Sequence, residues 1–73
     1  MENFCTRFLS LRTSAKMSLA RVANAVNIEP RTLKYYSSGE REPSLSTLIA
    51  IADLFDVSLD YLAGRTDNPK VNR

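Results

Sequence analysis

Residues 18–39, SLARVANAVNIEPRTLKYYSSG, leave few architectures open. Ser18 is a residue type that caps helices, and behind it Leu19, Val22, Ala23 and Val26 fall on one face of a short helix running from Leu19 to Val26. Asn27 stops it, being the residue after glycine most willing to take the left-handed backbone conformation. Pro30 suits the first position of a second helix, because its missing N–H would have had no partner there. Glu29 precedes it, placed to cap that helix or to favour the positive end of its dipole. This helix runs to about Ser38, with Leu33 and Tyr36 on its inner side, and Gly39 closes it. Two short helices that cross steeply need a small residue at the contact, a turn residue that accepts a positive φ and apolar plugs between them. Ala23, Asn27 and the set Val22, Ile28, Leu33 and Tyr36 supply all three, as a helix-turn-helix requires.

The remainder of the chain reads as three further helices. Phe4, Phe8, Leu11 and Ala15 recur at helical intervals from Asn3, a plausible N-cap, to about Ala15, with Arg7 and Ser14 on the opposite side. Cys5 sits at helical spacing from Leu9 and reads most simply as a small buried hydrophobe; an exposed or redox-active thiol is the alternative. After the loop EREP, Ser44 caps a helix in which Leu45, Leu48, Ile49, Ala52 and Phe55 keep the helical period. Ser58 caps a last short helix, LDYLA, stopped by Gly64. RTDNPKVNR, with little apolar content, is expected to be a flexible tail. No segment reads as a strand. The expectation is an all-α domain of five helices over residues 1–64, its helix-turn-helix at 19–38, followed by a tail over 65–73.

Composition excludes several classes of function. A chain of 73 residues supports one domain, which at this size buries about 60% of the surface its unfolded chain exposes. The longest strongly apolar run, LIAIA from Leu48 to Ala52, is far short of the roughly 20 residues that cross a bilayer. The opening MENFCTRFLSLR carries an acid and charges within its apolar stretch, unlike a signal peptide, so a cytoplasmic protein with no membrane partner is expected. One cysteine and no histidine exclude the usual zinc sets, Cys-His nucleophile pairs and Ser-His-Asp triads. No cofactor and no enzymatic activity are expected; Asp53 and Asp56, three apart at a helix end, read as caps or solubilising charges. A net charge of +2 from ten basic and eight acidic residues is compatible with a nucleic-acid partner and weak testimony for one.

Residues 7–64 resemble the Cro/cI-type (XRE) helix-turn-helix domain, a lambda-repressor-like bundle, through MSLARVANAVNI and TLKYYSSGEREPSLSTLIAIADLFDVSLDYLAGRTDNP. The second stretch is the more specific, since glycine, proline, capping serine and two apolar helices fall in register. RTLKYY is also similar to the RTLRYY of MerR regulators. Those begin at their helix-turn-helix and continue into a wing, whereas here a full helix precedes and SSGEREPSLSTL follows. The XRE resemblance implies a DNA-binding transcriptional regulator, a repressor bound as a homodimer to a palindromic operator, with the second helix of the motif in the major groove. By position it implies base reading by Glu29, Pro30, Arg31, Thr32 and Tyr35, and phosphate contacts from Ser18, Lys34, Ser38, Arg41 and Arg12. Arg31 stands out because a guanidinium can contact guanine bidentately. Val57, Leu59, Tyr61 and Leu62 are the candidate dimer interface.

The chain departs from that pattern in three places. Leu19 stands where the family commonly has a glutamine that grips a phosphate. Ser37 stands where it usually has a glutamate paired with an arginine of the first helix, here Arg12, which is left to reach solvent, Ser37 or a phosphate. Glu40 and Glu42 flank Arg41 in a loop that is often basic, and Glu29 adds a third acid, weakening attraction to phosphate. These departures motivate an alternative: an adaptor or antirepressor that keeps the fold and offers the motif to a protein partner.

Overall fold

A computed structural model of the chain describes residues 2–71, with side chains from Asn3 onward. Five helices follow one another, α1 Glu2–Ala15, α2 Leu19–Ala25, α3 Pro30–Ser38, α4 Leu45–Phe55 and α5 Leu59–Ala63, and there is no strand among the described residues. The all-α expectation holds.

Local chemistry sets the boundaries. Ser18, Ser44 and Ser58 each precede a helix in extended backbone and accept a hydrogen bond on Oγ from the backbone N–H three residues on, at 3.1, 3.2 and 2.9 Å. Each cap satisfies one of the four N–H groups that a helix start leaves without an intrahelical partner. Every helix also ends on a residue with positive φ: Lys16, Asn27, Gly39, Asp56 and Gly64 in chain order. Glu29 takes the cap position of α3, yet its side chain makes no capping hydrogen bond.

α2 packs on α3, α1 lies against α3 and α5, and α4 packs on α5. The core draws Phe4 and Phe8 from α1, Val22 and Ala23 from α2, Leu33 from α3, Leu48 and Ile51 from α4 and Leu62 from α5. Phe4 and Phe8 stack with centroids 5.3 Å apart, and Phe55 meets Phe8 edge-on at 6.4 Å. Each fully buried side chain of this size contributes about 1.5–3 kcal/mol.

Four expectations need correcting. α1 begins at Glu2, so Asn3 lies inside it; its side chain rests against Gly64 rather than capping. Arg7 does not face solvent: it crosses to α5 and donates to the carbonyls of Tyr61, at 2.6 Å, and Thr66, with its guanidinium 4.2 Å from the Tyr61 ring centroid. In α4 the buried face runs through Thr47, Leu48, Ile51 and Ala52, while Leu45 is 64% and Ile49 44% exposed. Ala15 is exposed, so the inner stripe of α1 ends at the half-buried Leu11. The segment after Gly64 is tied back through Pro69: Arg7 also pairs with Asp67 at 2.8 Å, and the Ser58 N–H donates to the Pro69 carbonyl at 2.8 Å.

Candidate nucleic-acid interface

The turn between α2 and α3 fixes how α3 is presented. Asn27, at φ 58°, lets the Ile28 N–H donate to the Ala23 carbonyl at 3.0 Å and its own N–H to Asn24 at 3.3 Å. The last carbonyls of α2 are thereby satisfied in a Schellman closure. Val22, Ala23 and Leu33 are fully buried, and Ile28 and Tyr36 are partly buried and packed against the core that they belong to. With Leu33 turned inward, the first turn of α3 faces out: Glu29, Pro30 and Arg31 are exposed and Thr32 is half-buried. Neither Arg31 nor Lys34 has a partner within the described residues, so both cations are free to meet an external group.

The other phosphate candidates are placed less uniformly. Ser18 is exposed but its oxygen already caps α2. Ser38 is exposed and donates to the Tyr35 carbonyl at 3.2 Å. Arg41 lies over the Tyr35 ring, its guanidinium carbon 4.8 Å from the centroid. Arg12 is half-buried; it donates to the Met17 carbonyl at 3.3 Å, lies 5.7 Å from the Phe8 centroid, and keeps its Nε buried without a partner. Ser37 does not reach it, donating to the Lys34 carbonyl at 3.0 Å instead. Leu19 packs against the core. A side chain used in that way has nothing to offer a phosphate.

The dimer candidates fare differently. Leu62 is 0% and Val57 8% exposed, and the Tyr61 ring is covered by Arg7, so the monomer's own core consumes them. Leu59 stays half-exposed. Sequence spacing on so short a helix cannot tell a face buried in the monomer from one shared with a partner. It also missed Arg7, whose acceptors are carbonyls with no sequence signature.

A helix-turn-helix family model matches residues 9–62, a span that contains α2, the turn, α3 and α4. This chain is an XRE-type helix-turn-helix protein. It is similar to the uncharacterized HTH-type transcriptional regulator YobD of Bacillus subtilis, 35% identical over 72 residues that make up 96% of this chain and 64% of YobD. It is also similar to the cryptic phage CTXphi transcriptional repressor RstR of Vibrio cholerae, 34% identical over 59 residues, 81% of this chain and 53% of that one. A crystal structure of a transcriptional regulator from Listeria innocua superposes with a TM-score of 0.74 at 28% identity, covering 96% of this chain and 61% of the other. The chain thus spans little more than half to about two thirds of these relatives. Among the described residues no helix is long and apolar enough to cross a membrane.

Proposed function

We propose that this XRE-type domain is a sequence-specific DNA-binding transcriptional regulator, a repressor that binds a palindromic operator as a homodimer. The observation that carries the reading is the outward first turn of α3, where Arg31 and Lys34 stand without intramolecular partners on a helix whose other face is locked to α2. In this reading α3 enters the major groove, Arg31 and Thr32 read base edges beside Glu29 and Pro30, and Lys34 meets a phosphate. Each copy carries one α3, so one copy reads one half-site and a palindrome with half-sites about one helical turn apart takes two copies. The half-exposed Leu59 and the exposed Ile49 line one surface cavity between α4 and α5, the face we assign to the second copy. Repression follows the relative RstR, a transcriptional repressor by name.

Titration against random-sequence duplex DNA at low salt tests the reading, with binding expected and a flat titration overturning it. Selection from a random library should then return two half-sites about one helical turn apart. Arg31→Ala should relax preference at one position in each, by about 1–3 kcal/mol; an equal loss on all sequences would assign Arg31 to phosphate. The exposed acids Glu29, Glu40 and Glu42 favour a second reading, in which α3 serves a protein partner as an adaptor or antirepressor. The flat titration is the result that reading expects.

A further inference from the structure

Four of the five helices close alike. The N–H of the residue after the left-handed one donates five residues back: Met17 to Arg12 at 3.0 Å, Ile28 to Ala23 at 3.0 Å, Val57 to Ala52 at 3.0 Å and Arg65 to Asp60 at 2.7 Å. α3 differs. Gly39 takes the left-handed conformation, at φ 84°, but the donor is Arg41, bonded six residues back to the Tyr35 carbonyl at 3.2 Å. One more residue in the turn returns Arg41, and not Glu40, over the helix end. The Arg41 side chain then lies above the Tyr35 ring, 4.8 Å from guanidinium carbon to centroid.

Glu40 and Glu42 flank Arg41, yet no ion pair joins it to either acid among the described residues. The difference matters for an anionic partner. A carboxylate would neutralise the guanidinium and occupy its N–H fork, whereas a ring face attracts the cation through its quadrupole and leaves charge and in-plane donors available. Arg41 is thus fixed at two points, backbone and ring, and uncommitted at the atoms that bind phosphate.

We propose that Tyr35 is a positioning residue for Arg41, holding the guanidinium away from its acidic neighbours as a preorganised phosphate clamp at the C-terminal end of α3. The ring face that the sequence alone offered to base edges is taken by Arg41. This inference rests on the DNA-binding reading and names the device by which an acidic loop still contributes attraction to the backbone.

The test measures the full chain against random-sequence duplex DNA over a salt series. Arg41→Ala should reduce the slope of log K against log salt by about 0.9 per bound chain, or about 3.5-fold in affinity lost between 50 and 200 mM no longer being seen. Tyr35→Leu, which removes no charge, should reduce it equally; Tyr35→Phe, which keeps the ring, should restore it; the Tyr35→Leu/Arg41→Ala chain should lose no more than Arg41→Ala alone. A wild-type slope in Tyr35→Leu, or separate losses that add in the double variant, overturns the proposal while leaving DNA binding intact. An unmodified chain that binds no duplex overturns the DNA-binding reading and this inference with it. Tyr35 lies outside the core cluster, so the substitutions should leave the fold intact by far-UV circular dichroism. Should Tyr35→Leu unfold, the unmodified chain decides: Arg41 side-chain protons shifted upfield by the ring support the clamp, and unshifted ones overturn it.

Discussion

Arg12 and Ser37 line the same cavity of about 250 Å³ between α1 and the end of α3, and the Arg12 Nε beside it is buried with no partner. Leaving a buried donor unsatisfied costs about 1–3 kcal/mol, and a hydrogen bond to a charged group contributes about 1.5–3 kcal/mol. Ser37→Glu places a carboxylate where both conditions meet. Two terms oppose the gain. A negative charge in the last turn of α3 costs about 0.3–1 kcal/mol against the helix dipole. Ordering the longer side chain, with Arg12 only half-buried, costs a similar amount. The net expectation is a stabilisation of about 1 kcal/mol, read as a rise in Tm of about 4–8 °C for a domain of this size.

The decisive form of the experiment is a double-mutant cycle in urea, with Ser37→Glu made in the wild-type and Arg12→Met backgrounds. Coupling of about 1.3–2 kcal/mol is the expected result, because the glutamate gains about 1 kcal/mol when Arg12 is present and keeps only its helix-dipole cost of about 0.3–1 kcal/mol when Arg12 is absent. An equal effect in both backgrounds would refute the reasoning, since the gain would then come from helix propensity and not from the unpartnered Arg12 Nε.

Arg7→Met should cost about 2–3 kcal/mol in urea unfolding, because two backbone acceptors and a cation–π contact are lost together from a side chain only 19% exposed. Asp67→Asn should leave stability unchanged, as that carboxylate is fully exposed. Gly64→Ala should destabilise more than Gly39→Ala: both force an alanine to positive φ, at about 1–2 kcal/mol, but only at 64 would the new Cβ fall 2.5 Å from Asn3 Cβ. Equal Tm losses would show that α1 simply moves aside. Leu19→Gln should strengthen binding to DNA of any sequence while lowering stability by about 1 kcal/mol, since Leu19 is partly buried against the core; unchanged affinity would show that α2 does not approach the backbone.

The features that could be read from the sequence are those whose physics is local. A serine three residues ahead of the N–H it caps, and an asparagine or glycine at a left-handed position, carry their partners within a few residues. These signals bound α2, α3 and α5, while α1 and the end of α4, closed by Lys16 and Asp56, are legible only through their apolar period. The inner face of α4 was not legible, because LSTLIAIADLF is apolar nearly all round and only the neighbours choose Ile51 over Ile49. Arg7 escaped because its partners are 54 to 60 residues away and two are carbonyls. Val57 and Leu62, dimer-interface candidates by their spacing, are buried in the monomer's own core, a distinction that spacing on a five-residue helix does not carry. At the candidate interface, the exposure of Arg31 followed from the inward spacing of Leu33, whereas the stacking of Arg41 on Tyr35 depends on one extra residue in a turn.

That stacking bears on how so weakly charged a surface can serve DNA. Residues 29–42 hold three cations, Arg31, Lys34 and Arg41, and three acids, Glu29, Glu40 and Glu42. Their sum is zero, so net charge supplies no attraction here and placement must. Arg31 and Lys34 stand free on α3, and Arg41 is drawn onto a ring instead of an acid. If each meets one phosphate or base edge, a single copy gains few contacts; loss of a phosphate contact is felt as a change in salt slope and loss of a base contact as relaxed preference. On the proposed reading, two copies on one palindrome double the contacts, so that with an acidic loop affinity would depend on how the few cations are held and on how many copies hold them.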